Sequence, residues 1–202
     1  MIEDWQKLEA KAAEGLLQEI NPEIKPVGFS LETTTIRRCR LPFYKEHILL
    51  ELTDLSQVPA ARKYALYAPG DVNIITWTNQ PIYRVNEEAP IRLTEENISA
   101  YVKFFFNYVR GRHGRFIVIE TIDDIRWQVE PPAQGRKAMQ EMLEGVTLVG
   151  QDPDGTFHLD AYMVFKDSLF KTKVHVQRDG NVSMSSEELK VEGMPILQDA
   201  AV

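Results

Sequence analysis

Four histidines are the side chains best suited to proton transfer near neutral pH: His47, His113, His158 and His175,. No two of them form an HExxH spacing or another close pair,. Strand alternation in the C-terminal part sets Asp160 opposite His175, on the face away from the core, with His158 diagonally near,. That arrangement would suit a His–Asp dyad or part of a metal site. The plainer reading is a solvated cross-strand pair worth ~0.2–1 kcal/mol. It is favoured because a nucleophile and a third partner are missing.

Other reactive types are weighed in the same way. Cys39 stands between Arg38 and Arg40, and neighbouring cations lower a thiol pKa,. Alternation aims both arginines away from the cysteine, so a half-buried structural cysteine is expected. Asp152-Pro153-Asp154-Gly155 has the acid spacing that opens a calcium loop but lacks the closing bidentate Glu, so it reads as a turn,. Glu120, Asp123 and Asp124 could hold a divalent cation, but Asp123-Asp124 reads more simply as a loop or helix start. There is no GxSxG elbow, no GxGxxG and no GxxxxGK[ST] loop,. No bound metal and no cofactor are expected.

Two stretches could bind. Arg110-Gly111-Arg112-His113-Gly114-Arg115 is the concentrated basic run, so Arg110, Arg112 and Arg115 form a candidate patch for an anion or an acidic partner. The plainer reading there is a turn whose cations complement a helix C-terminus. The aromatics Trp77, Tyr83, Tyr101 and Phe105 are the candidate lining of a small-ligand pocket,.

The elements that would position these residues follow from periodicity. Residues 3–20 form an amphipathic helix, with Trp5, Leu8, Ala12, Leu16 and Ile20 at spacings of three and four,. Asn21-Pro22 ends it,. Strands are expected at 33–40, 48–52, 63–67, 74–78 and 82–85, with Pro69-Gly70-Asp71 as a turn,. A helix at 95–110 has Thr94 as its N-cap and Gly111 as its stop,. A strand at 116–120 and a helix at 134–144 follow. The C-terminal part is an antiparallel meander of strands 146–151, 156–165, 169–177 and 181–186. If Asp167-Ser168 is the two-residue turn, Phe165 pairs with Phe170 and Asp160 with His175,. A loop at 178–180 then sets Val176 opposite Val182.

Helix 95–110 is apolar on most of its circumference. Ile98, Val102, Phe105 and Val109 make one stripe, Tyr101, Phe104 and Tyr108 a second, and Phe106 flanks them. A surface helix needs one stripe. Either this helix is central to the fold, or Tyr101, Phe104 and Tyr108 form a subunit interface in a homo-oligomer. The interface is the reading adopted from sequence.

Composition bounds the rest. The chain has 202 residues, one domain's length, with a possible sub-boundary near 123–135,. Its 23 Lys and Arg against 30 Asp and Glu give a net charge of −7, which argues against a dedicated nucleic-acid partner,. No apolar run reaches the ~20 residues of a membrane helix, and the acidic start is no secretory signal,. One cysteine excludes an intrachain disulfide and fits a cytoplasmic location,.

The segments Tyr64-Ala65-Leu66-Tyr67, Trp77 through Tyr83, Glu88-Ala89-Pro90, Phe104 through Gly111, Val164 through Phe170 and Glu187-Glu188-Leu189 together resemble a family of bacterial hypothetical proteins. The resemblance implies a bacterial source and one continuous unit, and it transfers no catalytic or binding residue. The fold expected is α+β, with antiparallel sheet and three main helices. The function expected is a non-catalytic soluble binding or assembly domain, whose partner is a protein or a small molecule. The alternatives are a small-ligand-binding domain with an aromatic pocket, or an enzyme with dispersed residues such as His175 and Asp160.

Overall fold

The computed structural model describes residues 4–24 and 28–197, and the fold is α+β, built on two antiparallel sheets. The chain divides into two compact units, Met1–Arg92 and Leu93–Val202.

The first unit has a five-stranded sheet in simple sequence order: β1 (Gln6–Lys7), β2 (Thr34–Arg40), β3 (Ile48–Asp54), β4 (Ala61–Ala68) and β5 (Asp71–Ile74). Helix α1 (Ala10–Ile20) buries Ala13, Leu17 and Ile20 in one core with Ile36, Leu50, Leu52 and Ala65 of the sheet. The expected helix from residue 3 starts later because Gln6 and Lys7 pair with Arg38 and Arg37 as an edge strand. Asn21 closes the helix end. Its side-chain amide donates to the Phe29 carbonyl at 2.9 Å and accepts from the Phe29 N–H at 2.8 Å.

One expected strand is a helix. Residues 82–85 lie within α2 (Gln80–Glu88), where Pro81 occupies the first turn, as its fixed φ allows,. Ile82, Val85 and Asn86 form its buried face at helical spacing,. The structure thus has four helices among the described residues rather than three.

In the second unit, α3 (Ile98–Tyr108) precedes β6 (Phe116–Val118), α4 (Ala133–Met142), β7 (Thr147–Gln151), β8 (Phe157–Phe165), β9 (Ser168–Val176) and β10 (Val182–Val191). Strands β7 to β10 are the expected C-terminal meander, and β6 also pairs with β8. The segment 123–135 is no boundary. Ile122 and Ile125 before Pro131-Pro132, and Met139 after it, share one core with Tyr162, Val164 and Leu169.

The meander register differs from expectation at one turn. Phe165 pairs with Ser168, so Lys166-Asp167 is the two-residue turn and Lys166 takes the positive φ of 54°,. All of β9 shifts by two residues against β8. Asp160 therefore faces Lys173, and His158 faces His175. The next loop agrees with expectation: Val176 pairs with Val182, and Gly180 has a φ of 83°.

The apolar circumference of α3 is core. Tyr101 and Phe104 are 0 % exposed and Tyr108 is 3 % exposed. This corrects the expected interface at Tyr101, Phe104 and Tyr108, because rings buried within one chain present no surface to a partner. Phe105 and Tyr101, expected in a ligand pocket, are likewise packed core side chains. Even the polar stripe of α3 is engaged. Ser99 Oγ donates to the Val146 carbonyl at 3.2 Å, Lys103 pairs with Glu120 at 3.0 Å, and Asn107 accepts from Arg115.

Candidate functional site

The register of β8 and β9 assembles a row of polar side chains on one face of the second unit's sheet. At one end of this face Tyr162, Val164 and Leu169 belong to the core that includes Met139 of α4. At the other end it carries His158, Asp160, Lys173, His175 and Ser185, each half-buried or exposed.

These residues are linked in a chain. His158 Nε2 lies 2.7 Å from Asp152 Oδ2, His158 Nδ1 lies 2.6 Å from His175 Nδ1, and His175 Nε2 lies 2.6 Å from Ser185 Oγ. The two imidazole rings meet edge to face, with centroids 4.8 Å apart. Asp152 is placed by the turn into β8: its N–H donates to the Thr156 carbonyl at 2.9 Å, and its carbonyl accepts from Gly155 at 2.8 Å. This is the turn expected at 152–155. The carboxylate that meets a histidine is therefore Asp152. Asp160 instead pairs with Lys171 at 3.6 Å.

Ser185 stands at an irregularity in β10. It pairs with Lys173, whereas the next pair is Glu188 with Lys171, so β10 carries one extra residue there,. Ser186 takes a φ of 54°, a conformation costly for a residue with a side chain,. Thr172 Oγ1 donates to the Ser185 carbonyl at 3.2 Å and steadies the kinked strand.

The basic run forms a second feature of this unit. Gly111 and Gly114 close a tight turn, the Gly114 N–H donating to the Gly111 carbonyl at 3.2 Å. Arg112 and His113 are exposed at its tip. Gly114 has a φ of 138°, and a Cβ there would lie 3.1 Å from the Phe165 ring. Phe165 stacks on Phe116 with centroids 4.5 Å apart, and Lys166 Nζ sits 5.5 Å from the Phe165 centroid. The turn at 111–114 and the turn at 166–167 thus lie side by side. Arg112 and Lys166 are exposed there, Arg110 and Arg115 are half-buried, and the nearby carboxylate is Asp167.

In the first unit, Trp77 and Tyr83 are half-buried. Trp77 has a φ of 66° and meets Tyr64 edge-on, with centroids 5.9 Å apart. Tyr64 in turn donates to Glu51 Oε2 at 3.1 Å, and Arg37 Nε donates to Glu51 Oε1 at 2.9 Å. Burial and the Glu51 charge push the Tyr64 hydroxyl above its ordinary pKa. These contacts make Glu51 a buried, compensated carboxylate that ties β2, β3 and β4 together.

His47 Nε2 donates to Asp71 Oδ2 at 2.8 Å, and its ring is buried,. Cys39 is buried, and desolvation, followed by the charge of Asp4, raises its thiol pKa. It is therefore the structural cysteine expected from alternation. Thr121 and Asp124 form a capping box for a short helical turn, and Asp123 pairs with Arg136, which accounts for the Asp-Asp pair. Among the described residues no group of three or more His, Cys, Asp or Glu is placed to hold a metal ion. No described helix is long and apolar enough to cross a membrane.

Sequence reasoning placed His158 only diagonally near His175, and missed Asp152 and Ser185 as members of the row. A turn placed at Lys166-Asp167 would have found the histidine pair. The serine depends on the irregularity in β10, which leaves no sequence signal beyond a run of small polar residues. Comparison with protein-family models, with curated proteins and with solved structures gives no match to this chain.

Proposed function

We propose that this chain is a binding domain that takes an acidic protein segment at the basic corner of its second unit. The observation that supports the reading is the pair of adjoining turns carrying Arg112, His113 and Lys166 around the stacked Phe116 and Phe165 rings. The turns are fixed before any partner arrives, because Gly114 closes against Phe165 and Arg115 is tied to Asn107. Preorganised cations lose little freedom on binding. The local positive charge contrasts with the chain's net −7 and directs an acidic segment to this corner,. Self-association fits the same chemistry, since another copy of the chain carries 30 Asp and Glu.

Immobilised poly-glutamate is the probe. The wild type binds at low salt and is released as the Debye length falls to ~8 Å near 0.15 M. Arg112→Glu with Lys166→Glu abolishes retention while thermal unfolding is unchanged, both side chains being exposed. Equal retention of wild type and double variant would sink the reading. Sedimentation of both proteins separates a partner from self-association: only in the second case does the variant lower the mass of the wild-type species.

A further inference from the structure

The Asp152–His158–His175–Ser185 chain has a single proton arrangement with both rings neutral. The Asp152 carboxylate only accepts, so His158 Nε2 carries the hydrogen of the 2.7 Å contact,. His158 Nδ1 is then an acceptor, and His175 Nδ1 must donate across 2.6 Å. That leaves His175 Nε2 bare, accepting the hydroxyl hydrogen of Ser185 at 2.6 Å. Every contact has one donor and one acceptor, and all three run in the same direction, from serine to carboxylate.

We propose that Ser185 is a nucleophile for small carboxylic esters, with His175 as its general base. A serine hydroxyl is a weak nucleophile until a base is poised on its proton and that base is itself oriented. His175 supplies the base, and His158 with Asp152 orients the ring and shares the charge it gains. Lys173 supplies the remaining requirement. It is exposed and directly opposite Ser185, so its ammonium lies on the same face, where negative charge develops on the ester oxygen,. The extra residue in β10 and the left-handed Ser186 fit this role, because bulges and strained backbone recur beside reactive side chains,. Of the other charged groups on this face, Asp160 stands opposite Lys173 on the rung of Ser185 and is paired with Lys171 at 3.6 Å, while Lys171 and Glu188 lie one rung farther along the strands.

The chemistry balances without a redox partner. Ser185 Oγ bonds to the acyl carbon, and the bond from that carbon to the alcohol oxygen breaks. The serine proton passes to His175 Nε2 and then to the departing alkoxide. Water next attacks the acyl-serine, gives its proton to His175, and releases the carboxylic acid as Ser185 regains its hydrogen. Exposure of Ser185 and Lys173 suits small esters rather than a substrate that must be enclosed.

The test treats the full chain with a fluorophosphonate probe, in which the serine oxygen displaces fluoride from phosphorus. Peptide mass spectrometry maps the label, and p-nitrophenyl acetate gives the acylation rate. The expected result is labelling at Ser185 in the wild type and none there in Ser185→Ala. His175→Gln slows labelling ~10²-fold or more, the usual contribution of a general base. His158→Gln has a smaller effect in the same direction, and serves if His175→Gln does not fold. Absence of label at Ser185, or equal labelling of wild type and the histidine variants, overturns the proposal.

Discussion

Tyr101 offers the sharpest test of how the second unit is built. Its hydroxyl donates to the Gly180 carbonyl at 2.6 Å, joining α3 to the β9–β10 turn across 79 residues. Both residues are buried. Tyr101→Phe keeps the ring and removes the donor, leaving a buried acceptor at a cost of ~1–2 kcal/mol. For a unit of ~100 residues, 1 kcal/mol moves Tm by about 4 °C or somewhat more, so a fall of ~4–8 °C is expected by calorimetry. Tyr101→Glu with Tyr108→Glu is a different order of perturbation. Each removes a buried ring, worth ~3–5 kcal/mol by analogy with Phe→Ala. Each also places a carboxylate where neither is more than 3 % exposed,. The two rings alone cost ~6–10 kcal/mol, comparable to the ~5–15 kcal/mol stability of a typical domain, and with two unpaired buried carboxylates added the double variant should not fold. A folded, monomeric double variant with the wild-type Tm would show that the stripe is surface. An unchanged Tm for Tyr101→Phe would show that the Gly180 contact contributes nothing.

Three further outcomes are expected. Cys39, buried and with a thiol pKa raised by desolvation, should react with an aromatic disulfide reagent only after denaturation; rapid reaction of native protein at pH 8 would contradict its burial. Asp54 accepts from the Ser56 N–H at 2.9 Å and the Ser56 hydroxyl at 2.7 Å, contacts that lower its pKa to about 2. A depressed carboxylate stabilises the fold above its unfolded pKa of ~3.9 and loses that contribution as pH falls through the folded value. Asp54→Asn should therefore lower Tm at neutral pH and flatten its decline between pH ~4 and about 2, whereas parallel Tm–pH curves for the two proteins would refute the assignment. Gly114→Ala should destabilise by ~1–3 kcal/mol, because its φ of 138° and the nearby Phe165 ring both oppose a Cβ,; a neutral effect in thermal melts would mean that the 111–114 turn is not held as described.

The α+β class and the C-terminal meander were legible because both depend on period and turn chemistry. Gly155 and Gly180 mark turns that only a residue tolerant of positive φ enters at low cost, and both turns stand as expected,. The β8–β9 pairing was less legible for a definite reason. Side chains alternate with period two, so a slip of two residues keeps every apolar group on its face. Only the turn discriminates, and Lys166-Asp167 lacks the Asn-Gly or Asp-Gly signature that would have settled it,. Residues 82–85 misled differently. Ile82 and Val85 suit either a strand or a helix, and Pro81 reads as a break until it is recognised as a first-turn residue,.

Burial of α3 changes where function is to be sought. An over-wide apolar helix read from sequence suggests a surface seeking a partner, but its rings are already satisfied as core. The second unit leaves two ordered polar features accessible: a basic corner held by Gly114 and Phe165, and a hydrogen-bonded row ending at Ser185. Neither depends on a contiguous motif. The corner needs two turns far apart in sequence, and the row needs Asp152, His158, His175 and Ser185 from four successive stretches of the meander. A two-residue change in one hairpin would move His175 opposite Asp160 and dissolve the histidine pair, while the apolar face stayed intact. Stability alone therefore does not choose between those registers. The turn at Lys166-Asp167 does, and through it the chemistry of the open face.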